Sequence, residues 1–137
     1  MKRNVLSIFG YIVASFLVQG LSHFVFFAKH YAAVPIFKAQ PIFAFGLSSM
    51  AIQGVILTFL FKGSRFHTGR LFDAIRFGWC FGAFLVSYIA LGESGKYAVP
   101  DVPSWIGVEA LAGLLQFTLI GLFTGLVFRR AEIQSLS

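Results

Sequence analysis

Four long apolar runs, separated by short charged segments, organise this chain. The first extends from Val5 to about Ala28, behind Met1-Lys2-Arg3-Asn4, and Lys29 ends it. The second covers Pro41 to Phe61 and closes on Lys62-Gly63. The third covers about Phe72 to Gly92 and stops at Glu93; the fourth covers Ser104 to Phe128 and stops at Arg129-Arg130. A helix rises about 1.5 Å per residue, so roughly 20 apolar residues cross a hydrocarbon core about 30 Å thick. The pattern predicts an all-α fold, an integral membrane four-helix bundle. Its helices fall at about 5–28, 41–61, 72–92 and 104–128, in one transmembrane domain over residues 1–137. Pro41 and Pro103 sit at helix starts, where the missing N–H is not needed. The chain start resembles a signal n-region, but the run behind it is longer than an h-region, so it reads as a retained span.

Composition agrees. Hydrophobic residues make up 58% and charged residues 12%, against about 25% charged in a soluble domain. So few charges leave too little polar surface for water, whereas the 18 phenylalanines can face lipid. The net charge of +6 is explained by position. Lys2, Arg3, Lys62, Arg65, Arg70, Arg76, Arg129 and Arg130 fall on one side of the predicted bundle, and only Lys29, Lys38 and Lys96 on the other. The positive-inside rule puts the richer side, with both termini, in the cytoplasm of a multi-pass cell-membrane protein. Trp105, Tyr31 and Tyr97 then mark the outer interface. The alternation of basic residues and phenylalanine over Phe61–Phe77 reads as an inner-leaflet interfacial segment. Basic residues placed this way call for no nucleic acid. The expected partners are the lipid bilayer and either other copies of the chain or other membrane subunits. Cys80 is the only cysteine, which excludes an intrachain disulfide and a cysteine metal site.

An internal repeat is suggested by two stretches. Phe16-Leu17-Val18 precedes Lys29-His30-Tyr31-Ala32-Ala33-Val34-Pro35, and Phe84-Leu85-Val86 precedes Lys96-Tyr97-Ala98-Val99-Pro100. Pro41 and Gly63 share a spacing with Pro103 and Gly125. This reads as two hairpins of one orientation, arranged as parallel repeats about an axis along the membrane normal.

Polar groups inside hydrocarbon are costly and need a partner or a purpose. Gln19, Gln53 and Gln116 each lie roughly 15–18 Å from the outer ends of their helices, which predicts a polar layer near the midplane. Ser15 shares a face with Gln19, and Ser49 with Gln53. The layer is read first as interhelical hydrogen bonding and second as a substrate site. His23 and Glu109 both fall about 8–9 Å below the outer surface, where a histidine can share a proton with a carboxylate. They are the candidate ligand or proton pair. Glu93, Lys96 and Asp101 in one outer loop, with Lys29, His30 and Lys38 in the other, form a solvated or capping set above them.

Gly92-Glu93-Ser94-Gly95-Lys96 lacks the spacing of a phosphate loop, and no Ser/His/Asp or Cys/His nucleophile arrangement is visible. No metal or cofactor is expected. Gly78-x-x-x-Gly82 and Gly121-x-x-x-Gly125 predict close approach of the third and fourth helices, and Gly10 and Ala14 serve the first. In size and helix count the chain is similar to the small multidrug resistance transporters. Those carry a glutamate in their first helix; here the membrane glutamate is Glu109 in the fourth, so their activity does not carry over. The leading expectation is a non-catalytic membrane subunit or oligomeric scaffold. The alternative is a small transporter or channel that uses the glutamine layer and the His23/Glu109 pair.

Overall fold

The computed structural model describes residues 1–35 and 40–135, so Lys38 lies outside the described residues. Helix α1 (Lys2–Leu21) continues through a π-helical turn, Ser22–Phe26, into the short α2 (Ala28–Ala32). Helix α3 (Phe43–Gly63) follows, then α4 (Leu71–Ser87), which also ends in a π-helical turn, Tyr88–Glu93. Helix α5 (Val102–Ser135) closes the chain. Four helical stretches are long and apolar enough to cross a membrane: Lys2–Phe26, Phe43–Gly63, Leu71–Glu93 and Val102–Arg129. The expected all-α four-helix architecture is the observed one, with shifts at the ends. The first run breaks at Phe27, whose backbone leaves helical geometry. Lys29 therefore belongs to α2, which folds back over the π-helical turn.

Along α1 burial is inverted relative to a helix built for water. In α1 the buried residues are Ser7, Gly10, Tyr11 and Ser15, while Val5, Leu6, Phe9, Val13, Phe16 and Leu17 are exposed. Small and polar groups turn inward because only other protein groups can satisfy them in hydrocarbon. The apolar groups lose nothing by facing lipid. This pattern, with the four spans, makes the chain a membrane protein.

The four long helices enclose one core, to which Tyr11, Leu57, Phe61, Phe77 and Phe117 contribute. Helix α3 packs on α1, α1 on α5, and α5 on α4. The α4–α5 contact is backbone to backbone. A Cβ at Gly121 would lie 2.7 Å from the Ala74 carbonyl oxygen and from Ile75 Cα, and one at Gly78 would strike the Phe117 carbonyl. Gly82 faces the Phe117 ring and Gly125 faces Ala74 across the same seam. Helices α3 and α4 meet where Phe61 of α3 packs edge-on to Phe77 of α4, ring centres 5.2 Å apart. Further along, a cleft of about 160 Å³ lies between Ile56 and Leu57 of α3 and Phe81, Phe84 and Leu85 of α4. The Ser64–Arg70 loop that joins them is held by its own hydroxyls. Ser64 Oγ donates to the Phe61 carbonyl, Thr68 Oγ1 donates to Asp73, and Gly69 takes the positive φ of 75°. Arg76 lies 3.7 Å from Asp73 at the exposed start of α4, a surface pair of little energetic weight.

Candidate functional site

Helix α1 carries a polar residue every fourth position, Ser7, Tyr11, Ser15 and Gln19, and the π-helical turn sets Ser22 on the same side. Residues four apart share a helix face, so α1 presents one continuous polar seam to α3 and α5. Nearest the chain termini, Thr58 Oγ1 donates to Ser7 Oγ at 3.0 Å. One turn on, the Tyr11 hydroxyl donates to Gln53 Oε1 at 2.6 Å, and Gln53 Nε2 donates to Ser49. At the middle, Gln19 Nε2 donates to Gln116 Oε1 at 2.7 Å, and Gln116 Nε2 donates to Ser15 Oγ at 3.0 Å. Ser15 also bonds Tyr11, which links the middle pair to Gln53. Gln19 and Gln116 thus meet directly, whereas Gln53 joins them only through two hydroxyls. In the membrane each such bond contributes about 0.6 kcal/mol on average.

At the distal side, away from the termini, Glu109 is 5% exposed. It accepts a 2.6 Å hydrogen bond from the Tyr31 hydroxyl, which also lies 3.4 Å from Ser22 Oγ. His23 does not bond Glu109 among the described residues. Its Nδ1 lies 3.0 Å from the Gln19 carbonyl oxygen, and its ring stacks on Tyr31 with centres 3.7 Å apart. Tyr31 therefore stands between the two residues expected to pair. The fold-back of α2 puts it there: the break at Phe27 turns Tyr31 inward against Trp105 and Val34, away from the interface. Burial, then the bond to Glu109, pushes the Tyr31 phenol up from its ordinary value. His30 stacks on Trp105 and meets Tyr31 edge-on. Its Nε2 is buried and has no hydrogen-bond partner among the described residues.

The loop residues stand apart from this cluster. Lys96 Nζ donates to the Tyr88 hydroxyl at 3.2 Å and lies 4.8 Å from that ring. The same contact raises the lysine's pKa. Glu93, at the end of the second π-helical turn, couples electrostatically to Lys96 and to Glu109. Asp101 caps α5 by accepting the Ser104 N–H. Among the described residues, no group of three or more His, Cys, Asp and Glu side chains can hold a metal.

Tyr11, Ser7, Thr58, Ser22 and Trp105 are seam or cluster residues that the sequence reading did not single out as candidates. The four-residue recurrence of hydroxyls in the first run was the signal available for Ser7 and Tyr11. Nothing local marked Thr58 or Trp105. Comparison with known proteins adds no name: no family model, no curated protein and no solved structure matches the chain.

Proposed function

We propose that the chain is a non-catalytic membrane subunit that assembles with a second copy of itself through α3. The observation that carries this is the exposed polar edge of α3. Its distal third, from Phe43 to Ser49, is exposed throughout; Ser48 and Ser49 face outward and Gln53 is half-buried. Gln53 lies ten residues from either end of the helix, about 15 Å deep. Polar groups at that depth are stabilised by a partner helix. A glutamine amide both donates and accepts, so two copies of Gln53 complement each other across a twofold axis. The cleft between α3 and α4 leaves the same edge open. The test is disulfide cross-linking in native membranes, with Cys80, which is exposed, replaced by serine. Ser49→Cys is expected to give a covalent dimer and Ala83→Cys on α4 none. A chain that stays monomeric at every α3 position would overturn assembly. Cross-linking only to a different chain would overturn self-assembly.

Two related readings belong here. The basic side with both termini faces the cytoplasm of the cell membrane, supported by the lysine and arginine distribution; a reporter fused at the C-terminus and active only outside the cell would reverse it. The two hairpins are repeats, supported by the π-helical turns that end both α1 and α4. In addition, Tyr11 donates to α3 as Trp79 donates to Thr118 of α5, at the same offset as Phe16 and Phe84.

A second function, that of a small transporter or channel, is favoured by one observation. Buried polar side chains run from Ser7 to Glu109 across the full depth of the bundle.

A further inference from the structure

We infer that the junction of α3 and α4 binds one anionic phospholipid, with its phosphate on the Ser64–Arg70 loop and an acyl chain in the cleft between the two helices. This goes beyond the dimer reading and does not depend on it. Two separate observations meet here: cations without counter-charge, and an apolar cleft at the depth of lipid chains.

Lys62, Arg65, Arg70 and Arg76 are all exposed, and Asp73 is the one acid between residues 62 and 76. That acid is already engaged, accepting from Thr68 Oγ1 and lying 3.7 Å from Arg76. Among the described residues no carboxylate lies within ion-pair distance of Lys62, Arg65 or Arg70. Two of these cations lie along aromatic rings. Lys62 Nζ stands 5.7 Å from the Phe59 ring centre, and Arg65 Cζ 5.4 Å from that of Phe66. The apolar stems are thus covered while the charged heads stay free at the membrane surface. A guanidinium fork matches the oxygens of a phosphate.

Positive charge marks this whole side of the chain, so charge alone selects no particular place. The cleft does. It holds about 160 Å³ between Ile56 and Leu57 of α3 and Phe81, Phe84 and Leu85 of α4. Leu57 lies six residues from the end of α3 at Gly63, and Phe84 lies 13 from the start of α4 at Leu71. The cleft therefore runs about 9–20 Å below the loop. A headgroup layer is about 5–8 Å thick and half a hydrocarbon core about 15 Å. The cleft falls at the acyl chains of the same leaflet whose phosphates are level with the loop. Tyr11 and Gln53 also line it, but their polar groups bond each other, so an apolar surface is what it offers. One helical turn fills on the order of 400 Å³, too much for this space, whereas a stretch of acyl chain fits. Ser48 and Ser49 do not line the cleft, so the chain lies beside the proposed dimer edge. The cavity of about 240 Å³ between α4 and α5 makes the contrast. Those helices are joined on the distal side, where Lys96 already donates to Tyr88.

The experiment is native mass spectrometry of the full-length protein in detergent micelles, titrated with dioleoyl phosphatidylglycerol or dioleoyl phosphatidylcholine. One phosphatidylglycerol per chain is expected to bind, roughly tenfold or more tighter than phosphatidylcholine. Arg65→Gln and Arg70→Gln should each weaken it about fivefold, the weight of one basic residue at an anionic surface. Lys2→Gln and Lys29→Gln should leave it unchanged. Ile56→Trp, at a position half exposed, fills the cleft from the lipid side. It should weaken dioleoyl phosphatidylglycerol but not the dihexanoyl form, whose chains end before the cleft. All five positions are exposed, and each variant is first required to match the parent in helix content. Equal affinity for the two headgroups would overturn phosphate recognition. A loss in Lys2→Gln as large as in Arg65→Gln would make the attraction general to the basic side and overturn the site. Unchanged dioleoyl binding in Ile56→Trp would overturn the cleft. Displacement of the lipid by millimolar inorganic phosphate would show an anion site that needs no lipid, and would overturn the assignment. A monomer that binds phosphatidylglycerol as described would uphold it and count only against the dimer.

Discussion

The two hairpins solve one problem with a different balance of the same two means. In lipid no hydrophobic force draws helices together, so they associate by close packing or by polar bonds. The α4–α5 pair uses packing: Gly78 and Gly121 bring backbone against backbone. The α1–α3 pair uses polar bonds, Thr58 to Ser7 and Tyr11 to Gln53. The outcome is visible in burial. The first helix of each hairpin is 28% buried in its most apolar window, while the second is 56% buried in Val102–Arg129, which packs on both α1 and α4, and 17% in Phe43–Gly63, which packs mainly on α1. A packed glycine seam has one arrangement, because backbone cannot yield. A seam of hydroxyls and amides can exchange partners at small cost. The second hairpin is thus the framework, and the first carries the surface and chemistry that can change.

The sharpest way to break this contrast is a side chain at Gly121. Gly121→Val puts methyl groups where Ala74 and Ile75 backbone atoms already lie, and α4 must move away. The expected loss is about 3 kcal/mol, the upper part of the range for overpacking, read as a shifted unfolding midpoint in mixed detergent micelles. Gly54→Ala is the matched test in the first hairpin. Its Cβ would lie 3.3 Å from Tyr11 Cβ and from the Ile8 carbonyl, a contact that a slight tilt of α3 relieves. Equal losses at the two glycines would erase the distinction between framework and adaptable hairpin.

Next in size is Gln116→Leu, which acts where the two hairpins join. Gln116 is bonded at both ends of its amide, to Gln19 and to Ser15. Removing it strands the partly buried Gln19 amide and the buried Ser15 hydroxyl, for a loss of about 2 kcal/mol. The same measurement on Gln19→Leu should give a smaller loss, since Gln19 is only partly buried.

How much of this was legible in the chain differs by level. The four spans follow from length and hydropathy alone, because a bilayer imposes both. The glycine spacing of the fourth run pointed at close approach for the same reason: only small residues permit it. The distal cluster was not legible. His23 and Glu109 were matched by depth, but depth says nothing of azimuth, and the break at Phe27 that delivers Tyr31 between them carries no proline or glycine to announce it. The role of Trp105 was hidden likewise. An indole beside a loop reads as an interfacial anchor, yet this one is 2% exposed, with its N–H on the Ile89 carbonyl.

A pH experiment sharpens the picture of that cluster. Burial and the bond to Glu109 favour the neutral Tyr31 phenol, so the folded chain keeps this proton where the unfolded chain loses it. The sign follows from linkage: the contribution is complete below the ordinary tyrosine value of 10.0 and drains away as pH rises past it. Thermal stability should fall above that pH, and the fall should be shallower in Tyr31→Phe. Identical alkaline profiles for parent and variant would mean that Tyr31 is not held as described.

The smallest expected effect probes the seam within the first hairpin. Tyr11→Phe keeps the ring packed beside Gly54 and removes only the hydroxyl that bonds Gln53. The loss should be about 0.6 kcal/mol, the mean for one interhelical bond in a membrane, because Gln53 retains Ser49 as a partner. Global unfolding will barely register it. Hydrogen exchange of the α3 backbone will, since α3 packs mainly on α1 and the bond lies at its centre. Exchange should quicken in α3 and stay unchanged in α4 and α5. If exchange quickens equally in α4 and α5, the two hairpins unfold as one body. The weakness of the α1–α3 seam would then be shared by the whole bundle and would confer no separate mobility on α3.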